Sequence, residues 1–222
     1  MSTEFTGNIN LNSDLFSNTI LDLLNKFPSE EIIETGTFDG LGSTTIFAKT
    51  GIETISLESC EDHYNLAKQN LAQYNNVKLL LGSSLKYEEM EEFILKDEIY
   101  NSEMVLSKTL PVDGGDFSRN FYLKEVKGFK EEKPLADNLL FNLIDNTKKQ
   151  LVFLDSAGGV GYLEFLKFMS LDSEKLKTKI LVLDDISHIK HYRSVVYLKH
   201  NYFPVEISSD RRFAYCVFRP YN

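Results

Sequence analysis

Glu34-Thr35-Gly36-Thr37-Phe38-Asp39-Gly40-Leu41-Gly42-Ser43-Thr44 is the stretch whose reading decides the fold. It follows the apolar run EIIE at 31–34 and leads into a segment of helical periodicity. Glycines between a strand and a helix let the backbone turn sharply and let a ligand approach main-chain N–H groups. Gly36 and Gly40 are separated by three residues and position 38 is Phe, so the spacing is not the G-x-G-x-x-G of a dinucleotide cradle. A tight turn with no ligand is the alternative at this point.

Working outward, short apolar runs recur at 52–58 (IETISLE), 77–81 (VKLLL), 151–155 (LVFLD) and 179–185 (KILVLDD). Between the second and third runs Tyr64, Ala67 and Leu71 keep a helical interval, and after the fourth Tyr162, Phe165, Leu166 and Met169 do the same. Strands alternating with helices predict an α/β fold with a parallel sheet. Upstream, residues 12–27 carry one apolar stripe that Pro28 ends. Downstream, PVEISS and FAYCVF lie too close together for a parallel crossover, so they predict an antiparallel hairpin and bring the strands to seven. More chain lies between the third and fourth strands than one crossover needs. The surplus at about 100–134 reads as an insertion, either a lid or substrate loop or a solvated ornament. Helical periodicity resumes at Leu139, Leu140, Leu143 and Ile144, and one domain is expected over 1–222.

The 24 Lys and Arg against 33 Asp and Glu give a formal charge of −9, which disfavours nucleic acid and anionic membrane surfaces as partners. The two cysteines, Cys60 and Cys216, lack metal-ligand spacing and are expected as reduced, buried thiols. No stretch reads as a secretory signal or a membrane span, so a cytoplasmic protein is expected. A homo-oligomer is left open.

Glu58 ends the second strand, 18 residues beyond Gly40, where a carboxylate can accept both ribose hydroxyls of a nucleotide. Ser83 and Ser84, after Gly82 at the end of the third strand, offer small side chains and hydroxyls to an adenine edge. All three lie at carboxyl ends of successive strands, where ligands bind in open α/β sheets.

These residues resemble the class I S-adenosylmethionine-dependent methyltransferases. The loop formed by Glu34, Thr35, Gly36, Thr37 and Gly40, with Ser43 and Thr44 following, is similar to their first motif. Glu58 matches the acid that holds the ribose, and Ser83 and Ser84 fall where adenine is contacted. The resemblance implies a Rossmann-like methyltransferase fold with helices on both faces and strand order 3-2-1-4-5-7-6, and S-adenosylmethionine as cofactor.

The fourth strand ends in Asp155 and the fifth in Asp184-Asp185, so three carboxylates should meet beside the loop. Like charges that close call for a compensating cation, and carboxylate oxygens suit Mg²⁺. In the similar metal-dependent small-molecule O-methyltransferases, acids after strands four and five hold the metal, which implies Asp155, Asp184 and Asp185 as ligands. The other reading has Asp155 contacting the cofactor and the Asp pair capping a helix. Catechol-type members carry a lysine three residues after the strand-four acid; here that position is Gly158. The nearest bases are His188 and His191, with Lys190 and Arg193 available to neutralise the acidic mouth or meet an anionic substrate.

The expected activity is methyl transfer to a small molecule, at a hydroxyl of a metabolite or sugar, with Mg²⁺ assistance one option. The alternatives are a methyltransferase-like binding module without turnover and, less in keeping with the loop spacing, an NAD-dependent oxidoreductase.

Overall fold

The computed structural model describes residues 13–131 and 136–218. Seven strands form one sheet in the order β3-β2-β1-β4-β5-β7-β6, with β1 Glu31–Thr35, β2 Glu53–Glu58, β3 Val77–Leu81, β4 Gln150–Leu154, β5 Lys179–Leu183, β6 Val205–Ile207 and β7 Ala214–Val217. The first five pair in parallel and β7 runs antiparallel to both β5 and β6. This is the expected topology. Every residue of β1, β4 and β5 is buried, as expected of central parallel strands with layers on both faces.

The period of two sorts each central strand between those layers. In register, Ile33, Val152 and Leu181 face one side with Leu57, Leu154, Leu183, Phe165, Phe168 and Leu198. Ile32, Leu151 and Ile180 face the other with Phe153, Val182, Phe16, Ile20 and Phe47. The lead-in helix α1 Ser13–Lys26 seals this second face. Its Phe16 is wholly buried, with ring centroids 5.9, 5.3 and 5.1 Å from Phe47, Phe153 and Phe213. Burying such a ring stabilises the fold by about 1.5–3 kcal/mol.

The connecting helices are α2 Ser43–Lys49, α3 Glu61–Asn70 and α4 Tyr87–Lys96. The surplus stretch that follows is helical: α5 Glu103–Leu106 and α6 Ser118–Glu131, with short 3₁₀ turns before each. It folds as a cap. Tyr100, Leu110, Tyr122 and Val126 form a third apolar cluster with Leu85, Met90 and Ile94, and Tyr122 is fully buried. A solvated ornament would not bury such a ring. Asp97 fastens the start of the cap, accepting both Arg193 guanidinium nitrogens at 2.9 and 2.5 Å, while Arg193 stacks on Tyr162 at 4.1 Å.

The remaining helices are α7 Leu139–Leu143, α8 Gly161–Met169, α9 Ser173–Leu176 and α10 Tyr192–His200. α10 begins at Tyr192, so Asp184 and Asp185 cap no helix. Cys216 is buried as expected, whereas Cys60 is only partly so. Among the described residues no helix is long and apolar enough to cross a membrane.

Candidate functional site

The carboxyl ends of β1, β2, β3, β4 and β5 open onto one cavity of about 520 Å³. At the end of β1, Gly36 adopts φ +85°, and a Cβ there would lie 2.3 Å from the Asp155 carbonyl oxygen. Only glycine fits this crossing of two loops. The Gly36 and Thr37 amides both donate to the Leu57 carbonyl, at 3.0 and 3.1 Å, tying the turn to β2. Thr35 and Gly36 reach the cavity wall, and so does Phe38, which the sequence reading passed over.

Several other loop residues sit behind the wall. Glu34 is fully buried and its carboxylate accepts the hydroxyls of Ser43, Thr44 and Ser56, the last two at 2.6 Å. Burial pushes its pKa up to about 7 against the pull of those hydroxyls. Thr37 shares a 2.5 Å hydrogen bond with Ser56, and a Cβ on Gly40 would strike Leu71 at 2.7 Å. Expected as cofactor contacts, Glu34, Thr37, Gly40, Ser43 and Thr44 instead lie off the cavity and hold the shape of the turn. A carboxylate under a strand-to-helix turn orders the first helical residues through their hydroxyls, which leaves none of these groups facing outward.

Glu58 does face the cavity. Its two oxygens accept the amides of Phe38 at 2.7 Å and Cys60 at 2.8 Å, which fixes the carboxylate while leaving lone pairs for further donors. Burial raises its pKa and the two amides counter that rise. Ser83 and Ser84 line the same wall. Behind it, the buried Glu164 gathers the hydroxyls of Thr35 at 3.2 Å and Ser156 at 2.6 Å, joining the loops after β1 and β4. Nothing in the spacing announced that residue.

Across the cavity Asp155, Asp184 and Asp185 converge as anticipated, with carboxylate oxygens within 4.8 Å of one another. Two cations are already among them. Lys190 Nζ lies 2.5 Å from Asp155 and 3.2 Å from Asp185, and Arg212 donates two 2.9 Å hydrogen bonds to Asp184. Burial disfavours the Lys190 charge, but the three carboxylates outweigh it and hold the ammonium protonated. Of the two cations anticipated at this mouth, Lys190 takes that part, whereas Arg193 is spent on Asp97.

His188 lies on the wall, its Nε2 3.7 Å from Asp113 and its Nδ1 accepting the Lys190 amide at 3.4 Å. Burial keeps the ring neutral by lowering its pKa. His191, expected as a second candidate base, is wholly buried away from the cavity. Its nitrogens pair with the Leu154 carbonyl and the Ser194 hydroxyl, and burial lowers its pKa to about 3. Its part is structural. The cap adds Asp113, Phe121 and Glu125 to the wall. The Tyr122 hydroxyl donates to Asp113 at 3.0 Å, and Glu125 has its pKa pushed up to about 7, by burial first and the Asp113 charge next.

No family model matches the chain, and no curated protein matches it. Solved structures do. A Staphylococcus aureus protein provisionally described as a caffeoyl-CoA O-methyltransferase is 15% identical, with a TM-score of 0.52 over 91% of this chain and 82% of that one. A Klebsiella pneumoniae protein provisionally described as an O-methyltransferase is 13% identical over 97% and 83%, with a TM-score of 0.49. A Bacillus cereus O-methyltransferase in complex with SAH is 13% identical over 96% and 83%, with a TM-score of 0.48. At such identities the likeness concerns the fold, and the chain has the Rossmann-like fold of class I methyltransferases.

Proposed function

We propose that the chain transfers a methyl group from S-adenosylmethionine to a hydroxyl oxygen of a small-molecule acceptor. The observation that carries this reading is that one cavity is lined both by Gly36, Glu58, Ser83 and Ser84 and by the ionisable groups of the opposite wall. Two reactants can therefore meet in it.

Bound there, the cofactor would supply a methyl group activated on a sulfonium, with S-adenosylhomocysteine as the leaving product. The residues present fit it. Glu58 would accept the ribose hydroxyls, Ser83 and Ser84 would meet the adenine, and the backbone at Thr35 and Gly36 would approach the methionyl end. What the protein adds is positioning, exclusion of water and removal of one proton. For that proton we assign Glu125. Its carboxyl stands on the cap side of the cavity with a pKa near 7, whereas the acceptor nitrogen of His188 is engaged by the Lys190 amide. His188 instead orders the wall beside Asp113.

The test is turnover of S-adenosylmethionine with a panel of polyhydroxylated and phenolic acceptors, following release of S-adenosylhomocysteine. The rate should rise with pH through about 7 as Glu125 ionises, and Glu125→Gln should lower it by about 100-fold. Cofactor binding with no turnover on any acceptor would favour a binding module in its place.

A further inference from the structure

Three carboxylates at the mouth of this fold invite a divalent ion, yet the space for one is filled from within the chain. Mg²⁺ takes its oxygens at about 2.1 Å and needs several at once. Lys190 Nζ is 2.5 Å from Asp155 Oδ1 and 3.2 Å from Asp185 Oδ2, so it stands between two of the three acids. Both oxygens of Asp184 are taken by Arg212, whose remaining terminal nitrogen is 3.2 Å from Asp185. An ion entering this cluster would have to displace the ammonium or share space with it.

The charges also balance in the same way. Burial pushes the Asp155 carboxyl up and the Lys190 ammonium 2.5 Å away pulls it down; with all three acids ionised, two monovalent cations leave one negative charge, which is what one divalent ion would leave. The lysine is built in rather than draped across the surface: its side chain is 10% exposed. Its stem runs where a side chain at position 161 would otherwise lie, since a Cβ on Gly161 would come within 2.5 Å of Lys190 Cγ. Its backbone is pinned to the cap, where the Ile189 amide donates to the Pro111 carbonyl at 3.0 Å.

We infer that Lys190, backed by Arg212, is a tethered cation standing in the place of a divalent metal, and that this site works without one. Lys190 lines the cavity, so its ammonium also presents positive charge to an acceptor oxygen. That second role rests on the methyltransferase reading; the exclusion of the metal does not.

The experiment is titration of the metal-stripped full chain with Mn²⁺, read by electron paramagnetic resonance without cofactor. Wild type, Lys190→Arg and Lys190→Met are compared, with Lys190→Gln alongside should the apolar side chain impair folding. Wild type and Lys190→Arg should take up no Mn²⁺ at the triad. The neutral variant should gain one site, tighter than any wild-type binding by about tenfold or more and lost again when Asp155→Asn is added. A wild-type site that disappears in Asp155→Asn overturns the inference, as does a neutral variant that binds no better than wild type. A parallel titration with S-adenosylhomocysteine reports separately on the cofactor wall, so failure of one reading leaves the other measurable.

Discussion

The wall after β1 and β2 and the wall after β4 and β5 enclose the same cavity with different means. On the first, the contacts made by the two strand-end carboxylates are short in sequence: Glu34 reaches Ser43, Thr44 and Ser56 at separations of 9, 10 and 22, and Glu58 reaches Cys60 at 2 and Phe38 at 20. On the second, ion pairs join separate strand ends: Lys190 reaches Asp155 over 35 residues and Arg212 reaches Asp184 over 28. The first wall is therefore shaped by backbone turns and hydroxyls, and the second by paired charge. The first should be sensitive to a methyl group and the second to the loss of a charge.

The largest effect that would sharpen this contrast is expected from Arg212→Ala. Asp184 is fully buried and would lose both hydrogen bonds from its one guanidinium partner, a loss costing on the order of 3–5 kcal/mol. Thermal unfolding measures it, and a change below about 1 kcal/mol would mean that the pair is not what holds the second wall. Gly36→Ala comes next. The added Cβ would lie 2.3 Å from the Asp155 carbonyl at a positive φ, so a loss of about 1–3 kcal/mol is expected together with loss of S-adenosylhomocysteine binding. Retained binding would break the claim that backbone shapes the first wall.

A smaller effect concerns pH. Glu34 has its folded pKa raised from 4.5 to about 7, so the folded state holds a proton that the unfolded state has already released. Its contribution is present below about 4.5 and is lost as pH rises through about 7, at up to about 1.4 kcal/mol per pH unit. Glu34→Gln should flatten the stability profile over that interval. Unfolding free energies from urea titrations at a series of pH values that fall equally steeply with pH in the two proteins would contradict the burial argument.

The same contrast explains what the residues announced on paper. The run VKLLL at 77–81 is β3 itself, because alternation and apolar runs are local marks. Gly36, Glu58, Ser83 and Ser84 could be found because a strand end followed by a turn places them by spacing alone. The family resemblance also named Glu34, Ser43 and Thr44, but it could not distinguish a hydroxyl aimed at the cavity from one aimed at a carboxylate beneath it. The sheet order followed from the family resemblance, since nothing in a strand's own residues says which neighbour it takes. Arg212 and Glu125 went unseen, one beside a hairpin turn and the other on a helix of the insertion. Pairs formed by folding across 28 or 35 residues leave no period to read. The stretch at 100–134 looked like surplus because Tyr122 and Val126 are interleaved with Lys and Glu, and their partners on α4 lie far back in the chain. Residues 132–134 of that expected insertion lie outside the described residues.

The most direct measurement of the central claim is calorimetric titration of the wild type and of Glu58→Ala with S-adenosylhomocysteine. One cofactor should bind per chain, and the loss of two hydrogen bonds to a charged group, about 3 kcal/mol or more, should weaken it by about 100-fold or more in the variant. Absence of binding to the wild type, or equal affinity in Glu58→Ala, would contradict the assignment of this wall to the cofactor.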